Sequence, residues 1–143
     1  MTHISRSALV RYTPRQMFDL VNDVEAYPSR FRWCSAAQVL ERDEAGITAR
    51  LDLRLAGIVQ SFTTRNRNLP PDRIQMRFVD GPFKTLEGVW TFQALGEAGS
   101  KVALTLDFEF ASRLAGAALR LGFQGLADRM VDDFCRVARD VYG

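Results

Sequence analysis

The chain has 143 residues, the usual size of one domain, and its 47% hydrophobic and 25% charged residues exclude a largely disordered or low-complexity chain. Its formal net charge of +2 is too slight to require a nucleic-acid or anionic-membrane partner by itself. A single histidine, His3, and two distant cysteines, Cys34 and Cys135, leave no material for a histidine triad, a zinc-ligand spacing or a disulfide framework.

The longest nearly apolar stretch, Leu114 to Phe123, is broken by Arg120 and is too short for a membrane span, which takes about 18 residues. Transient contact with a membrane stays open. Met1 to Arg6 lack the apolar run of a signal peptide, so a cytoplasmic location is expected. Over residues 3–11, Ile4, Ala8 and Val10 alternate with polar residues, a first strand whose parity is broken by Arg6. Thr13-Pro14-Arg15-Gln16 has the form of a capping box with proline at the first helical position, and Met17, Leu20, Val21 and Val24 follow at helical spacing. That helix should end near Asn22-Asp23. A short helical turn, Val24 to Tyr27, should stop at Pro28, leaving Phe31 and Trp33 on a loop.

From Cys34 to Ala111 the apolar period is two, and turn residues divide the region into about six further strands. Ile47, Ala49, Leu51, Leu53 and Leu55 share one face; Ile58, Gln60, Phe62, Thr64 and Asn66, then Ile74, Met76 and Phe78, then Leu86, Gly88, Trp90 and Phe92 continue it. Val102, Leu104, Leu106, Phe108 and Phe110 complete it. Short turns between these strands argue for an antiparallel meander. Ser112 would cap a final helix reaching almost to Tyr142, about 45 Å long, with Leu119, Phe123, Leu126, Met130, Phe134, Val137 and Val141 on one stripe. Gly116, Gly122 and Gly125 are unfavourable there, and either let the helix pack closely on the sheet or leave room for something between them.

Several segments carry a resemblance. Leu20 to Pro28, Trp33-Cys34-Ser35, Phe62-Thr63-Thr64-Arg65, Asp80 to Lys84, Trp90-Thr91-Phe92 and Leu106 to Phe110 resemble, in order and over nearly the whole chain, the coenzyme Q-binding START family, and most of all its bacterial ribosome association branch. The resemblance implies one α+β domain over residues 1–143, a START-like helix-grip of about seven antiparallel strands curled around a long C-terminal helix, with an apolar cavity between them. Where that family has an apolar Phe-Leu-Pro before Trp-Cys, this chain has Arg30-Phe31-Arg32, which suits an anionic surface better than an apolar gate.

With the inward parity taken as the cavity wall, the expected lining is Phe31, Trp33, Leu51, Leu53, Phe62, Thr64, Met76, Phe78, Trp90, Phe92, Phe108, Phe110, Phe123, Leu126 and Met130. Such a wall suits a long apolar ligand, because each buried CH₂ contributes about 0.8 kcal/mol without directional partners. The resemblance implies ubiquinone or a similar isoprenoid lipid. The inward polar residues Gln60, Thr64 and Asn66 could orient a carbonyl but are poor acids and bases, and no inward carboxylate pair is evident. The expectation is a non-enzymatic carrier with no catalytic cofactor and no metal, supporting respiration. As an alternative, the resemblance implies association with the large ribosomal subunit that blocks subunit joining; a cyclase is the third reading. For that alternative, Arg50, Arg54, Arg65, Arg67, Arg73 and Arg77 share an outward parity on three strands, with only Asp52 evidently opposing them, and form a candidate RNA or anion surface. No DNA partner is indicated.

Overall fold

The computed structural model describes residues 1–55, 57–111 and 116–143. Strand β1, Thr2–Val10, is followed by helix α1, Pro14–Asn22, a 3₁₀ turn, Val24–Ala26, and the short helix α2, Tyr27–Arg30. Six strands follow: β2, Cys34–Arg42; β3, Gly46–Leu55; β4, Ile58–Leu69; β5, Arg73–Asp80; β6, Phe83–Leu95; and β7, Gly99–Phe110. Helix α3, Ala117–Tyr142, comes last.

The sheet has seven strands in the order β1-β7-β6-β5-β4-β3-β2, with every pair antiparallel. β2 to β7 form the meander that period-two patterning and short turns dictate. β1 instead crosses to the far edge and pairs with β7, from Thr2 opposite Phe108 to Val10 opposite Ser100. Even-numbered side chains of β6 and β7 point into the curl, and Trp90, Phe92, Val102, Leu104, Leu106 and Phe108 are all buried. This is the helix-grip arrangement expected from the sequence.

The capping box at α1 is complete: Thr13 Oγ1 accepts from the Gln16 amide at 3.2 Å and Gln16 Oε1 accepts from the Thr13 amide at 2.9 Å. Two orphan donors are thereby satisfied while Met17, Phe18, Leu20 and Val21 turn inward. Pro28 does not stop the chain as expected. It lies in the first turn of α2, where its missing N–H has no partner to lose, and the Phe31 amide closes the turn on the Tyr27 carbonyl at 2.9 Å.

Ser112, the expected cap of the last helix, lies outside the described residues. α3 has 26 residues and extends about 39 Å. It buries Leu119, Phe123, Leu126, Val131, Phe134 and Val137 against the sheet, whereas Val141 near its end, and Ile58 at the start of β4, are exposed contrary to the expected faces because both stand at the ends of their elements. Gly122 marks a close approach, since a Cβ there would sit 2.9 Å from Leu55 Cβ. Gly125 faces open space and makes no room between helix and sheet. Among the described residues, no helix is long and apolar enough to cross a membrane.

Candidate functional site

Between the sheet and α3 lies a cavity of about 70 Å³. Leu51 and Leu53 of β3, Phe62 and Thr64 of β4, Met76 of β5 and Trp90 of β6 line it as expected, with Phe123 and Met130 of α3 and Trp33 from the segment after α2. Six expected residues do not reach it. Phe31 is buried and stacks on Trp33 at 4.5 Å. Phe78 and Phe110 close around Phe83 at 5.8 and 5.0 Å, and Phe108 packs on Phe123 at 5.0 Å, so one end of the curl is filled with rings. Phe92 lies parallel to Trp90 and meets Phe18 edge-on, while Leu126 is wholly enclosed in the core. Inward parity places a residue in the interior, but ring packing decides which interior residues border the void.

The wall also contains Val24, Tyr27, Ala49, Asn66, Leu86, Leu104, Leu106 and Phe134. Leu86, Leu104 and Leu106 share the parity of their aromatic neighbours, and the preference for aromatic rings hid them. Phe134 lay on the apolar stripe of α3. Val24 continued the helical spacing of α1 without pointing to a cavity, and Tyr27 gave no periodic signal, because it opens a single helical turn. A void of about 150 Å³ admits benzene. A substituted quinone ring therefore does not fit at 70 Å³ unless side chains such as Met76 and Met130 move, which unbranched methionines do readily.

The polar equipment of the wall is small. Thr64 Oγ1 donates to Asn66 Oδ1 at 2.8 Å. The Tyr27 hydroxyl donates to the Val21 carbonyl, and burial raises its phenol far above the ordinary value, so the proton stays in place. Gln60 donates to the neighbouring Ser61 carbonyl and does not border the cavity. No ionisable carboxylate, histidine or arginine lies in the wall among the described residues, and no cluster of metal-ligating side chains occurs among them. Such a wall can hold an apolar body and turn one hydrogen-bonding group toward Thr64 and Asn66.

The arginines divide into two sets. On the outer sheet face, Arg65 opposes Arg77 in the β4–β5 ladder but is held by both oxygens of Asp43, at 2.8 and 2.9 Å. That pairing keeps the Asp43 carboxyl below its ordinary range. Arg50 is held by Asp52 at 3.3 Å and by Ser61 at 3.1 Å. Arg65, Arg67 and Arg77 share one groove with Glu87, and Arg73 sits in register between Leu69 and Thr91. The expected set of six guanidinium groups is therefore divided, with Arg65, Arg67 and Arg77 in one groove and two of the six held by carboxylates. Arg54, at the end of β3, instead lines a separate groove of about 720 Å³ with Arg30, Arg32, Arg129 and Arg136.

That second groove is built on Asp133, a residue that strand parity could not reveal. Its position between Met130 and Phe134 puts it beside the apolar stripe of α3, and the residue is 8% exposed. Trp33 Nε1 donates to Asp133 Oδ2 at 3.1 Å, and Arg129 and Arg136 pair with the same carboxylate at 3.6 and 3.3 Å. Arg30 lies 3.4 Å from Asp23. Arg32 and Arg54 have no carboxylate partner among the described residues. Trp33 borders both the cavity and this groove. At the first strand, the exposed His3 pairs with Asp107 at 2.6 Å, an edge contact remote from both.

A seven-strand antiparallel sheet gripping a C-terminal helix over an apolar void defines a START-type helix-grip domain. The family model described as "Polyketide cyclase / dehydrase and lipid transport" matches residues 10–135, and the chain belongs to this family. The chain is 48% identical over 142 residues to the "Ribosome association toxin RatA" of Pseudomonas aeruginosa, covering 99% of both. It is 29% identical to the mitochondrial "Coenzyme Q-binding protein COQ10 homolog B" of Xenopus laevis, with 97% of this chain matching 59% of that protein. Among solved structures, the Zhui aromatase/cyclase of Streptomyces sp. R1128 shares the fold, with a TM-score of 0.83 at 19% identity, over 96% of this chain and 93% of that one.

Proposed function

We propose that this chain associates with the ribosome, on the large subunit, and hinders joining of the two subunits. The observation that carries the reading is the 48% identity, spread over 99% of both chains, with a protein named for ribosome association. The surface is compatible with it, because arginine outnumbers lysine 17 to 2 and guanidinium groups suit phosphate oxygens. The reading is tested by gradient sedimentation of the protein with purified ribosomal subunits at two salt concentrations. Co-sedimentation with the large subunit that weakens at higher salt, with fewer joined ribosomes on adding the protein, is expected. No co-sedimentation at low salt overturns it.

A second reading, binding of an apolar ligand, is favoured by the cavity and its Thr64–Asn66 pair. Ubiquinone, which the sequence placed first, requires the methionine side chains of the wall to move. Mass spectrometry of lipids extracted from protein made in its native host tests this. A quinone at a substantial fraction of one per chain supports carriage, and a lipid-free protein removes it.

A further inference from the structure

We infer that the groove between α2, the end of β3 and α3 is the surface that receives RNA phosphates. The inference rests on the ribosome-association reading for its biological partner but stands on its own geometry. Five arginines converge on this groove against the single carboxylate of Asp133. The lining thus carries a formal charge of +4, twice the +2 of the whole chain. Counting Asp23, which pairs with Arg30, still leaves +3. The outer sheet face lacks this concentration, since Asp43 and Asp52 hold two of its arginines and Glu87 lies among the others.

The groove is also built. Asp133 anchors Arg129 and Arg136, so part of the entropy of ordering two long side chains is already spent in the free protein. Arg32 and Arg54, without carboxylate partners, keep their planar donors for a phosphate that can take two hydrogen bonds from each. Trp33, the groove's one aromatic residue, is 5% exposed and has its indole N–H committed to Asp133. It offers no platform for stacking bases, so recognition is of the RNA backbone and its shape. Anionic lipid is the weaker fit, because a membrane surface is met by protruding apolar side chains beside basic ones, and this site is concave with its only apolar side chain buried.

The test compares wild type with the double variant Arg32→Gln/Arg54→Gln, which breaks no ion pair found among the described residues, and with Arg67→Gln/Arg77→Gln as a control on the outer sheet face. The probes are a fluorescent 20-base-pair RNA duplex, purified large subunits, and phosphatidylglycerol vesicles, each titrated across salt; melting curves check that both variants fold. Losing two phosphate contacts should lower the slope of log affinity against log salt by about 1.8 for a duplex, or about 1.4 if the contacts resemble single strands. At 0.1 M salt the duplex figure corresponds to a loss of about 60-fold. The control should bind like wild type.

Loss by the groove variant on both RNA and subunits supports the inference. Unchanged affinity and slope for that variant overturn it while leaving ribosome association intact. Wild-type binding to the duplex that depends on the groove, without binding to subunits, keeps the groove as an RNA site and removes the ribosome reading. No wild-type binding to either RNA probe overturns the inference, and groove-dependent binding to vesicles alone reassigns the surface to lipid.

Discussion

Leu104→Ala should enlarge the void beside α3 at a measurable cost in stability. Leu104 is fully buried on β7, borders the cavity, and sits in register between Arg6 of β1 and Trp90 of β6. Removing three carbons forfeits about 2.4 kcal/mol of transfer free energy at about 0.8 kcal/mol each. The roughly 80 Å³ they vacate adds about 2 kcal/mol at about 24 cal/mol per Å³, for a total near 4 kcal/mol, inside the range of about 2.7–5.0 found for such substitutions. The enlarged void then reaches about 150 Å³, the size that accepts benzene. Urea unfolding followed by tryptophan fluorescence reads the first effect. Repeating it with benzene reads the second, with about 2.7 kcal/mol recovered by the variant at a hundred times the dissociation constant, and little change in wild type. A loss below about 2 kcal/mol at unchanged m-value, or equal benzene responses in both proteins, would refute the cavity argument.

Two glycines should respond in opposite directions. Gly125→Ala, exposed on α3 with nothing within 4 Å of the added Cβ, should raise stability by up to about 1 kcal/mol. Gly46→Ala should lower it by at least about 3 kcal/mol, because its Cβ would fall 1.8 Å from the Asn66 carbonyl oxygen across the β3–β4 ladder; matching melting temperatures for these variants would contradict the packing. Burial pushes the Cys34 thiol up to about 11 and raises that of Cys135 as well, so native protein at pH 8 should react with iodoacetamide far more slowly than urea-unfolded protein. Unfolded thiols ionise near 9, so the Cys34 contribution to stability is complete below pH 9 and is lost as pH rises toward 11. Equal alkylation rates in the two states would show the thiols to be accessible.

The elements were legible because their signals are local. Thr13 to Gln16 spell a cap whose two hydrogen bonds form within four residues, and the alternation from Ile47 to Leu55 fixes a face wherever the strand is placed. The cavity wall was only partly legible. Parity marks Phe92, Phe108 and Phe110 as interior, yet Phe18 and Phe83 from distant segments occupy the space around them. Charge was the least legible: Asp52 shares a strand face with Arg50 two residues away, but Asp43 neutralises Arg65 from a turn that no spacing rule connects to it. The curl of the sheet separates Arg54 from the arginines that share its parity, and Asp133 escaped notice because a carboxylate beside an apolar helical stripe usually marks the solvent boundary.

The pairing of β1 with β7 sets the order in which this molecule can be born. Thr2 finds Phe108, and Trp33 finds Asp133, only across some hundred residues of intervening chain. At about 5–20 residues per second of synthesis, β1 waits roughly 5 to 20 s for its neighbour. In that interval the hairpins from β2 onward can zip as they emerge, but their inward face stays bare until α3 is made. Contacts so distant in sequence also favour folding over milliseconds to seconds. A ribosome halted late in making this chain would display an uncovered apolar trough, so the nascent protein is most prone to sticking just before its last helix arrives.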